Sequence, residues 1–204
     1  MSIKTGKELA DACEELALNY NTLYVMGCFG APLTSSAKDR YIRAQNYNQK
    51  PTRTEKIRAA SANTYGFDCV GMIKALLWGW NGDAHAVYGG AAYAANGVPD
   101  IDANAMLRKC AGISRDFRNI PIGAALGMKN HIGIYIGDGL AVECTPAWKD
   151  GCQITAVGNM GKKAGYYTRS WERWGMLPYV DYEQLTPAPK PAPETALKTE
   201  DEEM

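Results

Sequence analysis

Two residues of this 204-residue chain have the types that thiol catalysis requires, Cys69 and His131. A cysteine becomes a nucleophile when a base takes its proton and a third group orients that base. Cys69 follows Asp68 at the start of the most apolar helical segment, where free backbone N–H groups and the helix dipole lower the pKa of a thiol. The chain has two histidines; His131 opens a regularly patterned strand, whereas His85 lies in a loop-like stretch. The sequence therefore predicts Cys69 as the nucleophile and His131 as its base.

A third polar residue follows from the alternation of side chains along two strands. Residues 131–136 alternate with period two, Gly137-Asp138-Gly139 is a turn sequence, and residues 140–145 are typical of the returning strand. If the loop has three residues, Glu143 lies on the His131 face, within diagonal reach across the pair. A two-residue loop would instead place Glu143 on the opposite face. Glu143 is therefore a conditional third member of the site.

The helices predicted from the pattern lie within the first 110 residues. Thr5-Gly6-Lys7-Glu8 fits a capping box, in which hydroxyl and carboxylate satisfy free amides, and it begins an amphipathic helix over residues 6–20. A dense apolar helix follows Asp68 and ends at Asn81-Gly82. A short helix is predicted over residues 102–110.

Strands predominate afterwards, with further candidates at residues 154–157 and 176–181. Helices first and strands later indicate an α+β domain with an antiparallel sheet. In this arrangement the N-terminal helices pack on the sheet and the nucleophile stands at a helix N-terminus. A single domain is expected over residues 1–182.

Residues 31–62 are polar and weakly periodic, which predicts a long insertion rather than a part of the core. Seven basic residues against two acidic ones give this insertion a local net charge of +5. It is either a flap that attracts an anionic polymer, such as cell wall, or a solvated loop face.

Residues 183–204 have the composition of a linker and tail. Four prolines alternate with other residues between Pro187 and Pro193, and six acidic residues outweigh two basic ones. Such a segment cannot bury enough apolar surface to order itself, so it is predicted to be disordered.

Composition limits the other classes of function. The formal net charge is zero, which gives no whole-chain argument for nucleic acid as a partner. No apolar run approaches the roughly 18 residues that a membrane span needs. The N-terminal residues contain no apolar stretch of the kind found in a secretory signal, so cytoplasmic synthesis is expected, with action on a wall only after release by another component. We assume a monomer.

The six cysteines have two other possible uses. Without a secretory signal, reduced and buried thiols are expected rather than disulfides. The chain has no Cys-x-x-Cys pair and no cluster of histidines, which argues against zinc, and no other metal or cofactor is predicted.

Several motifs carry a resemblance to a known family. Phe67-Asp-Cys-Val-Gly-Met-Ile73 resembles the nucleophile motif of NlpC-type cell-wall peptidases, a permuted papain-like family. His131-Ile-Gly-Ile-Tyr-Ile-Gly137 is similar to the strand that carries the base, and Glu143 falls where the family places its third polar residue. Leu23-Tyr24-Val-Met-Gly27 resembles the segment ahead of the cysteine, whose tyrosine hydroxyl assists at the active site. The resemblance thus implies a role for Tyr24.

The resemblance extends over roughly residues 6–182. Arg169-Ser-Trp-Glu-Arg-Trp-Gly-Met-Leu-Pro178 is similar to the closing strand of clostridial phage and prophage members. It implies a permuted papain-like fold and a peptidoglycan endopeptidase that cuts the peptide stem, at a D-glutamyl–diamino acid bond or a neighbouring one. Many members have histidine where this chain has Glu143, and residues 121–127 lack the acidic residue often found ahead of the base strand.

Two alternatives stay open at this point. The same scaffold supports an amidase, or an acyltransferase in which an amine replaces water. A protein without catalysis, binding the wall or building a virion, is the alternative from another class.

Overall fold

The computed structural model describes residues 3–182, so the predicted tail at 183–204 lies outside the described residues. Five α-helices are present in this part of the chain. They are α1 (Gly6–Asn19), α2 (Ser35–Ala44), α3 (Pro51–Ala59), α4 (Cys69–Leu77) and α5 (Ala103–Lys109). The ten strands are β1 (Thr22–Tyr24), β2 (Phe29–Pro32), β3 (Tyr65–Phe67), β4 (Ala111–Ser114), β5 (Ala125–Met128), β6 (His131–Gly137), β7 (Leu140–Thr145), β8 (Gly151–Val157), β9 (Thr168–Arg169) and β10 (Arg173–Met176). The prediction of an α+β protein is confirmed.

The first helix begins as its sequence predicts. The Thr5 hydroxyl accepts a hydrogen bond from the Glu8 backbone N–H at 3.1 Å, and the Glu8 carboxylate accepts one from the Thr5 N–H at 3.0 Å. This reciprocal pair is the capping box. Leu9, Cys13 and Leu16 form the buried stripe of α1, which packs against β6, β7 and β8.

The apolar helix α4 ends earlier than predicted. It stops at Leu77, Trp78 is its C-cap, and Gly79 adopts a φ of +86°. Such a φ is accessible to glycine and ends the helix before Asn81. The short helix α5 agrees with its prediction, and Asp102 caps it by accepting from the Ala105 N–H at 2.7 Å.

A seven-stranded sheet forms one layer of the molecule, in the order β4-β10-β5-β6-β7-β8-β9. Its neighbours are antiparallel except for β8 and β9, which are parallel. The predicted strand at 154–157 is the second half of β8. The strand predicted at 176–181 is wrong, because β10 ends at Met176 and Pro178, which has no N–H to donate, cannot extend the ladder.

A second sheet that the sequence did not predict has the order β1-β3-β2. Its central strand β3 is fully buried and leads directly into α4. The sheet therefore fixes the chain immediately ahead of Cys69.

The prediction that residues 31–62 lie outside the core is wrong. Helices α2 and α3 of this segment enclose a small core of their own, in which Leu33 and Ile57 are fully buried. The buried side chain of Asn48 accepts from the Met26 N–H and donates to the carbonyl of Tyr41, each at 3.0 Å. Short helices with few apolar residues show weak periodicity, which is why the pattern favoured an insertion.

A buried ion pair joins this segment to the turn between β7 and β8. Arg53 donates to both carboxylate oxygens of Asp150, at 2.8 and 2.6 Å, and also to the carbonyl oxygen of Tyr24. Lys56 adds a further contact to Asp150 at 2.7 Å. Part of the positive charge of this segment is thus neutralised within the protein, since two of its basic residues bind Asp150.

The beginning and end of the described chain lie side by side. The Gly6 N–H donates to the Asp181 carbonyl at 2.8 Å, and the Asp181 N–H donates to the Lys4 carbonyl at 2.7 Å. Among residues 3–182, no helix is long and apolar enough to cross a membrane.

Alkaline pH is expected to destabilise the fold through its buried thiols. Burial raises the pKa of five of them, those of Cys13, Cys28, Cys69, Cys110 and Cys144. A group whose pKa is raised by folding stabilises the protein below its unfolded pKa, about 8.5 for cysteine, and this stabilisation is lost as the pH rises toward the folded pKa. We therefore expect the free energy of unfolding in urea, under reducing conditions, to fall from about pH 8 to about pH 11.

Cys28→Ala removes one of these thiols and serves as the comparison. It should lower the stability at neutral pH and reduce the slope of stability against pH. Stability that stays constant or increases over this range would contradict the expectation.

Candidate active site

The turn from β3 into α4 presents Cys69 as the first residue of the helix. Asp68 is the N-cap; its carboxylate accepts from the Gly71 N–H at 2.6 Å and from the Gly27 N–H at 2.7 Å. A Cβ at Gly71 would collide with the carbonyl oxygen of Cys28, so glycine is required where the helix crosses this segment. These contacts fix the direction of α4 and with it the position of the thiol.

Two backbone N–H groups at the start of α4 face the thiol. Asp68 accepts from the N–H groups of Gly71 and Met72, at 2.6 and 3.0 Å. The N–H groups of Cys69 and Val70 interact with the Cys69 sulfur instead. The helix start therefore supplies the unsatisfied donors that its geometry predicts.

The start of the helix acts to lower the pKa of Cys69, as expected, but the net shift in the free protein is upward. Burial raises this pKa to about 12, and the negative charge of Asp68 raises it further. The N–H groups of Ile132, Val70 and Cys69 itself act in the opposite direction, but burial outweighs them. Cys69 is thus a neutral thiol, and a base must take its proton before it can attack.

His131 is the first residue of β6, and its neighbour Ile132 contacts the thiol through the backbone N–H. The imidazole Nε2 lies 2.7 Å from the Glu143 Oε2 atom. The ring stacks on Trp171 with 5.5 Å between centroids and 6° between planes. Both contacts restrict the ring, and they leave Nδ1 as the nitrogen free to serve as a base.

The hairpin between β6 and β7 reaches the predicted geometry by another route. The turn has two residues, Asp138 and Gly139, with φ of +49° and +70°, which fits the turn type that tight hairpins favour. A bulge before Gly137 then shifts the register by one residue, so that Glu143 pairs with Gly133. The hairpin does not have the three-residue loop on which the face of Glu143 depended, but the bulge restores the parity and Glu143 lies on the His131 face.

Glu143 is fully buried and accepts three hydrogen bonds from side chains. Besides His131, Arg169 Nε donates to Oε2 at 2.6 Å and the Thr155 hydroxyl donates to Oε1 at 2.8 Å. Burial alone would raise the pKa of this carboxyl, but the hydrogen bonds from His131 and Arg169 outweigh it and lower the pKa. Glu143 is therefore a carboxylate at neutral pH.

Sequence reasoning missed the roles of Thr155, Arg169 and Trp171. Thr155 shares a face of β8 with Gln153, the residue opposite Glu143, so period-two alternation contains its signal. Arg169 reaches Glu143 because β9 pairs in parallel with β8, and no local pattern indicates that pairing.

Tyr24 lies at the end of β1 and is 6% exposed. Burial raises the pKa of Tyr24, and nearby Cys69 and Asp68 raise it further, so the phenol stays protonated. These interactions also show that Tyr24, Cys69 and Asp68 are neighbours. Its hydroxyl lies 3.8 Å from the sulfur of Met26.

A cavity of about 510 Å³ opens beside the thiol, within the range usual for ligand sites. Its lining includes Tyr24, Cys69, Lys74, Asp100 and Asn130. The Lys74 ammonium donates to Asp100, which gives the cavity a charged wall. A substrate in this cavity would reach Cys69 directly.

The second histidine is placed elsewhere. His85 is exposed and lines a separate small cavity with Arg40, and its backbone N–H donates to Asp83 at 2.8 Å. The structure therefore brings Cys69, Tyr24, His131 and Glu143 into one region and leaves His85 out.

Within residues 3–182, no group of three or more histidine, cysteine or acidic residues is arranged to hold a metal ion. No protein-family model matches this chain, and no curated protein matches it either.

Proposed function

We propose that this protein is a cysteine peptidase that hydrolyses an amide bond in the peptide stem of bacterial peptidoglycan, on a permuted papain-like scaffold. The observation that carries the proposal is the partly buried His131–Glu143 pair, together with the contact between the thiol at the N-terminus of α4 and the backbone N–H of Ile132, the neighbour of His131. A nucleophile, a base and a group that orients the base are what thiol acyl transfer requires.

The first chemical step is proton transfer from the thiol to imidazole. His131 Nε2 is engaged by Glu143, so Nδ1 takes the proton of Cys69 as the sulfur attacks the amide carbon. The negative charge of Glu143 stabilises the imidazolium that forms. A thiol whose pKa is raised by burial gains its nucleophilicity in this step and not before it.

The carbonyl oxygen becomes an oxyanion in the tetrahedral intermediate. The backbone N–H groups of Cys69 and Val70, which interact with the sulfur in the free protein, would donate to that oxygen. The protonated hydroxyl of Tyr24, which lines the same cavity as Cys69, is a further donor. The leaving amine then takes the proton from His131, and water hydrolyses the thioester with His131 acting again as base.

The substrate follows from the resemblance of residues 67–73 and 131–137 to the NlpC-type motifs. The cavity supports it by its size and by its charged Lys74–Asp100 wall, because a stem peptide carries both carboxylate and amine groups. We propose a D-glutamyl–diamino acid bond or a neighbouring bond as the target. The phage-like motif at residues 169–178 favours a lysin or another phage component.

The test is digestion of purified peptidoglycan followed by mass spectrometry of the fragments. Stem cleavage releases new amino groups and free peptides, an amidase frees the whole stem from the sugar, and an acyltransferase leaves an added amine. Iodoacetamide should remove the activity and EDTA should leave it unchanged. Binding to the wall without any new fragment would refute catalysis, and inhibition by EDTA that zinc reverses would refute the thiol mechanism.

A further inference from the structure

We propose that Arg169 is a positioning residue of this site. Arg169 holds the Glu143 carboxylate in place and, together with His131, balances the negative charge of that carboxylate. The imidazole of His131 is then free to act as a base. The inference rests on the proposed thiol mechanism for its effect on activity. The geometry itself does not depend on that mechanism.

One carboxylate oxygen of Glu143 bridges the guanidinium of Arg169 and the imidazole of His131. Its Oε2 atom lies 2.6 Å from Arg169 Nε and 2.7 Å from His131 Nε2. The Oε1 atom is satisfied separately by the Thr155 hydroxyl. Arg169 Nη2 also reaches the Thr145 hydroxyl at 3.4 Å, so the guanidinium is anchored on β7 at two positions.

Two tryptophan rings contact the guanidinium of Arg169. Its carbon lies 4.8 Å from the ring centroid of Trp148 and 5.8 Å from that of Trp171. Trp171 in turn stacks on His131, so one tryptophan contacts both nitrogen donors of Glu143. Trp148 is backed by Tyr167, with 5.2 Å between ring centroids and 9° between planes. A lysine has neither the planar fork nor the aromatic stacking that this position uses.

The charges explain why a permanent cation is needed. Glu143 is fully buried, and a buried carboxylate without an ionic partner is costly. If His131 were its only cationic partner, the carboxylate would draw a proton onto the imidazole. An imidazolium cannot take the proton of Cys69. Arg169 supplies the positive charge permanently and leaves His131 free to change its protonation state.

The other elements that pack on β6 add little charge near His131. Helix α4 contributes the thiol of Cys69, the carboxyl of Asp68 at its N-cap and the ammonium of Lys74, which is paired with Asp100. Helix α1 contributes the buried thiol of Cys13. Residues of α5 that are buried are apolar, and β5 places Met128 opposite His131. Among the charged groups of the described residues, Glu143 therefore contacts the imidazole directly and Arg169 contacts Glu143.

The test is an NMR titration of the two imidazoles in the reduced protein and in its Arg169→Met variant. His85 is exposed and away from the site, so it serves as an internal reference in the same spectra. We expect His131 to titrate roughly one pH unit higher in Arg169→Met, an ordinary effect for the loss of a charge at hydrogen-bond distance. His85 should not move. Arg118→Met, which breaks an exposed ion pair with Asp116, is the matched control and should move neither histidine.

Activity gives an independent measurement. The acidic limb of the pH profile of kcat/KM on a soluble muropeptide should shift to higher pH by the same amount in Arg169→Met. At pH values on the acidic side of this limb, kcat/KM should be about tenfold lower than in the parent protein. Arg169→Lys keeps the charge without the fork, so its limb should stay near that of the unmodified protein while kcat falls. This variant also preserves the test if Arg169→Met fails to fold.

The outcomes separate the two proposals. An unchanged His131 titration in folded Arg169→Met would overturn the role of Arg169 and reduce it to a structural link between β9 and β7. A shifted titration in a protein that hydrolyses no wall fragment would support the role of Arg169 and refute the peptidase.

Discussion

Replacement of Cys69 by alanine is expected to lower wall hydrolysis by at least about 10³-fold, because the thioester intermediate cannot form without the sulfur. The other side chains that line the cavity include no second thiol. The measurement is the rate at which new amino groups appear from purified peptidoglycan. The protein should stay folded, since Asp68 still caps α4 and fixes its first turn.

Cys110→Ala is the matched control for this variant. Cys110 is also a buried thiol with a raised pKa, but it caps the end of α5 and does not line the cavity. Its replacement should cost some stability and leave the hydrolysis rate nearly unchanged. Retention of even about a tenth of the activity in Cys69→Ala, where at least a 10³-fold loss is expected, would reject Cys69 as the nucleophile.

His131→Ala is expected to lower kcat by about 10²- to 10⁴-fold, the usual contribution of a general base. The loss should be nearly complete here, because burial keeps Cys69 protonated without a base. Glu143 keeps Arg169 and Thr155 as partners in this variant, so its carboxylate is not left unpaired. The measurement is the single-turnover rate on a soluble muropeptide, together with a melting curve to confirm folding.

His85→Ala controls for the loss of a histidine as such. It should be nearly silent, because His85 lies exposed in a separate cavity. If His85→Ala is the inactive variant and His131→Ala is active, the base has been assigned to the wrong histidine.

Much of the candidate site could be predicted because its logic is local. Cys69 needed only a cap and an apolar helix, and His131 needed only an alternating strand. Glu143 was harder, since its face depends on the count of residues in the hairpin. The two-residue turn and the bulge before Gly137 each change the parity, and together they cancel. The alternation of side chains in the sequence reflects only the sum of the two changes, which leaves Glu143 on the His131 face.

Long-range features of the fold could not be predicted in the same way. The three-stranded sheet joins β1, β2 and β3 across a segment with weak periodicity, and Arg169 reaches Glu143 through a parallel pair of strands. The pKa of Cys69 depends on burial by the whole fold, which opposes the local effect of the helix. Tertiary context therefore decided each of these features against the local signal.

The pairing of residues 4–6 with Asp181 makes the described chain close on itself. A chain with adjacent ends can be circularly permuted. A short linker from residue 182 to residue 3 would span a small gap, and new termini can be placed at the exposed residues 161–165. The same closure suits the domain for insertion into a surface turn of a carrier protein, because its entry and exit points coincide. A wall-targeting module could then be attached on either side without separating Cys69 from His131.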